Sequence, residues 1–212
     1  NGFRVGTVGK VLNGVEVKIA EDGEILCKGP NVMIGYYKDE EQTSQALKDG
    51  YFHTGDIGEF DSDGFLRITD RKKEMFKTSG GKYVAPQLLE NTFKQSLFIE
   101  QIMVIGEGEK MPAAFIQLSF DFIKDWAIKH PEVKLGQTNE EIISNPLIIK
   151  RIQEEVDHYN QKFGNWEQIK RFELTPDIWS IEAGHLTPTM KLRRKIILEK
   201  YKNLYQKIYN HE

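Results

Sequence analysis

Cysteine is almost missing from this 212-residue chain: Cys27 stands alone. No intrachain disulfide can form, and its place in an alternating strand-like run suits a packed thiol in a reducing compartment rather than a nucleophile. Long apolar runs are missing too. None approaches the ~20 residues needed to cross a bilayer and no signal-peptide pattern opens the chain, which places it in the cytoplasm or peripherally at a membrane. The histidines, His53, His130, His158, His185 and His211, show none of the HxH or HExxH spacings that set two imidazoles on one metal, so no metal site is expected. His158 reads as a structural residue of its helix. Nor does one sign of charge dominate: 29 Lys and Arg against 32 Asp and Glu leave a net charge of −3, with the signs interspersed. That recommends neither nucleic acid nor a disordered acidic tail. Finally, apart from the short Thr78-Ser79-Gly80-Gly81-Lys82 run, no Ser/Thr/Gly-rich loop ending in lysine, the usual cradle of a triphosphate, occurs.

What remains, 39% hydrophobic and 29% charged, is an ordinary globular composition with material for one large domain or two small ones. The chain opens at Asn1 without a methionine, in what reads as strand and turn sequence, so an excised portion of a longer protein is expected. Up to about residue 50 strands and turns alternate. Val15, Val17 and Ile19 share one face, Glu21-Asp22-Gly23 turns, and Ile25 and Cys27 resume the alternation. Gly29-Pro30 ends that sheet, and Asp39 caps a short helix running to about Leu47. Tyr36, Tyr37, Tyr51 and Phe52 read as core and sheet packing. Further on, Pro86 starts a helix to about Gln95 with Leu88, Leu89 and Phe93 on its apolar stripe. Strands follow over 101–105 and 113–118. From Asp121, read as a cap, to Phe163 the pattern is that of a helical insertion, with a capping box at Thr138-x-x-Glu141 and a long helix from Pro146. Residues 168–174 read as a last strand. An irregular segment with Trp179, Ile181 and Leu186 then leads to one final amphipathic helix through Ile196, Ile197, Tyr201, Leu204 and Ile208.

The chemistry concentrates in Tyr51 to Pro86, YFHTGDIGEFDSDGFLRITDRKKEMFKTSGGKYVAP. Strand-like runs over 52–60 and 65–69 flank Asp61-Ser62-Asp63-Gly64, residue types that tolerate tight turns, so a hairpin is expected. Thr54-Gly55 breaks its first strand and leaves the Asp56 carboxylate clear of the ladder, able to accept from two adjacent hydroxyls, the pattern of a ribose. Arg71, Lys72 and Lys73 then follow Asp70 as cations that neither sheet pairing nor core packing asks for. With the Gly80-Gly81 pair after them they suit a phosphate ligand. A second hairpin pairs 74–77 with 82–84. At the other end of the chain, Lys191, Arg193, Arg194 and Lys195 crowd cations at a helix start, where the helix dipole is itself positive and stability would prefer acids.

The string TGD, a hairpin, then DRKKEMFKTSGGKYVAP and a helix resembles the C-terminal signature of the adenylate-forming enzymes, the superfamily of acyl-CoA synthetases, luciferases and peptide-synthetase adenylation domains. LTPTMKLRRK resembles their catalytic-lysine segment, that of the long-chain fatty acyl branch in particular, because Met190 stands where most short-chain and luciferase-type members carry glycine. The likeness covers essentially the whole chain. It implies an α+β fold: residues 1–70 as the β-rich end of the large AMP-binding domain, 71–73 as a hinge pivoting at Lys73, and 74–212 as a mobile small α+β domain with a helical insertion. The implied activity is that of a long-chain fatty acid CoA ligase using ATP, coenzyme A and Mg2+, the metal's ligands and the missing large N-terminal domain lying outside these residues. By the same resemblance Lys191 is the catalytic lysine, Asp56 and Arg71 hold the ribose and phosphate of ATP or AMP, Gly80 lines the CoA entry and Lys82 meets a phosphate. A non-catalytic nucleotide- or partner-binding module, and a ligase for a different carboxylic acid, remain as alternatives.

Overall fold

A computed structural model describes residues 3–210, so Asn1 and His211 lie outside the described residues. The chain divides into two compact units, residues 1–75 and 76–212.

Unit 1 is an antiparallel sheet. Strands β1 (Glu16–Ile19) and β2 (Glu24–Lys28) are followed by helix α1 (Glu40–Ala46), β3 (Leu47–Lys48), β4 (Tyr51–Phe60) and β5 (Leu66–Arg71). β4 is long enough to pair with β2 along one side, while β3 takes its start and β5 its second half on the other. Asp39 caps α1 as expected, its carboxylate accepting from Gln42 N at 2.8 Å. The expected break at Thr54-Gly55 does not occur. β4 runs unbroken, but its register against β2 slips between Glu24↔Ile57 and Leu26↔His53, with Gly55 at φ +71° inside the bulge. A bulge re-aims side chains without ending the strand. The predicted Ile25/Cys27 alternation is also altered: Glu24, Ile25 and Leu26 are all buried and Cys27 only half-buried, because Glu24 points into the bulge. Few apolar side chains are buried here; Tyr37 is 88% exposed and Ile34 fully so, which corrects the reading of Tyr37 as packed.

Unit 2 opens with the short hairpin β6 (Phe76–Lys77) and β7 (Tyr83–Val84), then α2 (Pro86–Phe93), β8 (Ile99–Ile105) and β9 (Ala113–Leu118). Helices α3 (Phe120–Ile128), α4 (Asn139–Ile143) and α5 (Pro146–Asn160) precede β10 (Arg171–Thr175), and α6 (Arg194–Lys200) and α7 (Lys202–Tyr209) close the unit. β10 lies parallel to β9. A parallel pair needs a crossover of a dozen or more residues, and α3 to α5 supply it, so the helical insertion is a structural connection. Both faces of the sheet are covered, which is why β8 and β9 read as continuous apolar runs. Ile102, Val104, Ala114, Ile116 and Leu118 face α2, α3 and α5 in one core, and Met103, Ile105, Ala113 and Phe115 face Trp179, Ile197, Tyr201 and Ile208 in another.

Local signals elsewhere in unit 2 have mixed outcomes. The capping box at Thr138 and Glu141 forms. Ser119, not Asp121, occupies the N-cap of α3, and Asp121 sits in its first turn. His158 is exposed on α5, edge-on to Tyr159 at 5.0 Å. The single final helix is two helices, because Tyr201 (φ −104°, ψ 30°) leaves helical geometry to bury its ring against Phe115 and send its hydroxyl to Asp177 at 2.7 Å.

Candidate active site

In unit 1 the β4–β5 pair sets Asp56 opposite Arg71. Arg71 Nε stands 2.7 Å from Asp56 Oδ1. The other carboxylate oxygen, Oδ2, meets no protein donor among the described residues, so it stays available to hydroxyl groups of a ligand. Sequence reasoning left Arg71 and Lys72 unclaimed by the sheet, and the structure corrects this. Arg71 belongs to β5, and Lys72 Nζ bridges Asp22 at 2.7 Å and Glu24 at 2.8 Å. Glu24 was missed altogether. Buried in the bulge, it also accepts from Gly55 N at 2.9 Å and meets His53 Nδ1 at 3.0 Å. Burial pushes its pKa up, but the bonds from Lys72, His53 and Gly55 outweigh this and hold it below the ordinary carboxylate range. Its only sequence signal was an acid within an alternating strand. Lys73 is exposed in the turn that follows β5.

In unit 2, Gly80 and Lys82 occupy the exposed tip of the β6–β7 hairpin. A Cβ built on Gly80 would meet only Thr78 Oγ1, at 4.0 Å, so nothing in the chain itself demands glycine there. Lys82 Nζ lies 5.7 Å from the ring centroid of Trp166.

Lys191 sits on a different hairpin. The isolated bridge Leu186↔Leu192 and the bond from Arg193 N to His185 O (2.8 Å) form its base. At the tip, Thr187 N donates to Lys191 O at 2.8 Å and Lys191 N donates to Thr187 Oγ1 at 3.0 Å, so the lysine backbone is held on both sides. Its side chain is exposed, and its ammonium meets no acceptor among the described residues. Met190 adopts φ +62°. A side chain pays about 1–2 kcal/mol for that left-handed conformation and glycine does not. The cation crowding is partly resolved: Arg194 pairs with the buried Glu90 of α2 at 2.7 Å. Glu90 was not foreseen.

His185, at the hairpin's base, is buried with its Nδ1 unpartnered, Nε2 3.2 Å from Lys200 Nζ, and Asp177 on the far side of that lysine at 3.1 Å. Burial, then the Lys200 charge, pushes its pKa down. The unfolded chain therefore takes up the proton first as pH falls. Stability from this group is complete above about pH 6.5 and is lost below it, toward the lowered native value. Melting temperature should decline as pH falls below about 6.5, and His185→Gln should flatten that decline; an unchanged slope in the variant would exclude His185 as its source.

No group of three or more His, Cys, Asp or Glu side chains among the described residues is placed to hold a metal ion. No described helix is long and apolar enough to cross a membrane.

Residues 74–212 match the family model described as the AMP-binding enzyme C-terminal domain. A long-chain fatty-acid CoA ligase of Mycobacterium tuberculosis is 37% identical over 212 residues, covering 100% of this chain and 35% of that protein. Long-chain fatty-acid CoA ligase 1 of Homo sapiens is 36% identical over 193 residues, covering 89% of this chain and 27% of its own length. The chain thus spans about a third of the length of the curated relatives it matches. Among solved structures, the adenylation domain of a carboxylate reductase from Mycobacterium chelonae superposes with a TM-score of 0.67 at 24% identity, over 89% of this chain and 28% of that one. The anthranilate CoA ligase AuaEII in complex with anthranoyl-AMP gives a TM-score of 0.65 at 22% identity, over 96% of this chain and 35% of that one. At such identities these two likenesses establish the fold.

Proposed function

The chain belongs to the AMP-binding enzyme C-terminal domain family, and from that premise we propose that it is the C-terminal part of an AMP-forming long-chain fatty acid CoA ligase. In the first half-reaction a fatty carboxylate oxygen attacks the α-phosphorus of ATP, forming acyl-AMP and expelling pyrophosphate. In the second, the sulfur of CoA attacks the acyl carbon, loses its proton and expels AMP. Mg2+ would neutralise triphosphate charge from ligands outside these residues.

The observation that carries this reading is Lys191: a free ammonium on a hairpin whose backbone is pinned on both sides. Such a group, its backbone anchor already in place, can offset charge gathering between carboxylate and α-phosphate. Asp56 Oδ2, with Oδ1 steadied by Arg71, suits the two ribose hydroxyls, and Arg71 keeps donors to spare for ribose or phosphate. Residues 71–73 serve as the hinge, with Lys73 at its pivot, between the end of the large domain (1–70) and the small one (74–212). Rotation about it exchanges the lysine hairpin of the first step for the glycine hairpin of the second. Gly80 then lines the pantetheine path and Lys82 meets a CoA phosphate. Cytoplasmic location with peripheral membrane contact belongs to the same proposal, and recovery of the full-length protein with sedimented liposomes tests it.

In the full-length enzyme, ATP–pyrophosphate exchange should depend on added fatty acid and thioester formation on CoA. Exchange that ignores the fatty acid would sink the reading. Gly80→Leu separates the steps. The hairpin tip has room for the side chain, so acyl-AMP should form at nearly its normal rate while thioester formation slows roughly tenfold, the thiol's path being displaced. Equal losses in both steps would indicate misfolding instead.

A further inference from the structure

The buried ion pair between α2 and α6 is not explained by core packing alone. β8 is an edge strand of its sheet, and an edge leaves N–H and C=O groups without ladder partners. At Val104 both are taken by side chains: Glu90 Oε1 accepts from Val104 N at 2.8 Å, and Arg194 Nη1 donates to Val104 O at 3.1 Å. Arg194 Nη2 in turn lies 2.7 Å from both oxygens of Glu90. Carboxylate, guanidinium and peptide thus close a ring on one sheet residue. A lone apolar contact could slide along the edge, but this ring fixes distance and direction together, because the guanidinium fork is planar and its donors are rigidly spaced.

Its location gives the ring its consequence. Arg194 is the first residue of α6, three positions after Lys191, and Leu192 between them is half-buried against the second core. Glu90 lies in α2, the helix that follows the Gly80 hairpin. The ring therefore fixes the segment leaving the lysine hairpin to the sheet edge and to the helix behind the glycine hairpin. It also offsets one of the cations next to Lys191, whose mutual repulsion would otherwise push the hairpin outward.

We propose that Glu90 and Arg194 are positioning residues for Lys191, holding its hairpin where the ammonium reaches the carboxylate and α-phosphate in acyl-adenylate formation. This rests on the reading of Lys191 given above. Neither residue touches substrate; both act through the lysine.

The test measures the two half-reactions separately in the full-length enzyme, with Lys191→Ala as reference. Glu90→Gln keeps an acceptor for Val104 N–H and the same volume but loses the charge that holds the fork. It should lower the adenylation kcat by about 10- to 100-fold, the cost of a displacement near 1 Å, with KM for ATP and fatty acid nearly unchanged. Thioester formation from supplied acyl-AMP should stay near normal, which also certifies the fold. Arg194→Lys should recover part of what Arg194→Gln loses, and Glu90→Gln combined with Arg194→Gln should be no worse than either alone, as for two members of one unit. Normal adenylation in Glu90→Gln and Arg194→Gln, with Lys191→Ala crippled, overturns the positioning role; so do equal losses in both half-reactions. Normal adenylation in Lys191→Ala overturns the reading of the lysine itself, and this inference with it.

Discussion

Replacing Lys191 with alanine in the full-length enzyme should lower the rate of acyl-adenylate formation by roughly 10²–10³-fold, the cost of losing one preorganised donor to developing charge. Thioester formation from supplied acyl-AMP and CoA should proceed at nearly the normal rate. The split is expected because, in the mechanism proposed for it, the ammonium acts only where negative charge gathers between carboxylate and α-phosphate. Stability should barely change. The side chain is exposed, and the bonds that hold the hairpin run from the Lys191 backbone to Thr187, so alanine leaves them in place and a surface replacement of this kind stays within about 0.5 kcal/mol. If Lys191 merely solvated the start of α6, both half-reactions would change slightly and equally. That result would remove the residue from the mechanism.

The parts of this molecule legible in the sequence are those whose causes are local. Asp39 caps α1 because its carboxylate reaches an N–H three residues on, and Thr138 with Glu141 closes a capping box within a single turn; both patterns are complete in four consecutive residues. The β4–β5 hairpin was readable from its Asp61–Gly64 turn. What was not legible depends on partners distant in the chain. Glu24 reads as an ordinary strand acid, yet it fills a bulge 31 residues downstream by accepting from Gly55 N. Glu90 sits in an otherwise apolar stripe, and its burial makes sense with Val104 N and Arg194, 14 and 104 residues away. The final helix breaks at Tyr201, where burial of the ring and a bond to Asp177 override an unbroken helical pattern. Tyr37 failed for the opposite reason. Aromatic character predicts a packed ring, yet Tyr37 stays 88% exposed, with the Lys38 ammonium 5.2 Å from its centroid.

Asp56→Ala should weaken the use of ATP far more than the binding of fatty acid. Two charge-assisted hydrogen bonds to the ribose hydroxyls, at roughly 1.5–3 kcal/mol each, correspond to a loss of about 10²–10⁴ in kcat/KM for ATP. The geometry makes the expected series more specific. Arg71 Nε already occupies one side of Oδ1 at 2.7 Å, so the ribose must draw on Oδ2 and the remaining lone pair of Oδ1. Asp56→Asn keeps one acceptor oxygen but loses the charge that holds Arg71, and its cost should fall between those of the wild type and the alanine variant. Arg71→Ala should cost less than Asp56→Ala, since it removes the steadying partner and leaves the acceptors. The decisive comparison uses 2′-deoxy-ATP. If Asp56 binds the hydroxyls, deleting one from the nucleotide should cost the wild-type enzyme about tenfold or more and should cost Asp56→Ala almost nothing, because the interaction is already gone. Equal penalties for the deoxynucleotide in both proteins would show that the ribose is held elsewhere and that Asp56 serves only to order Arg71 and the sheet.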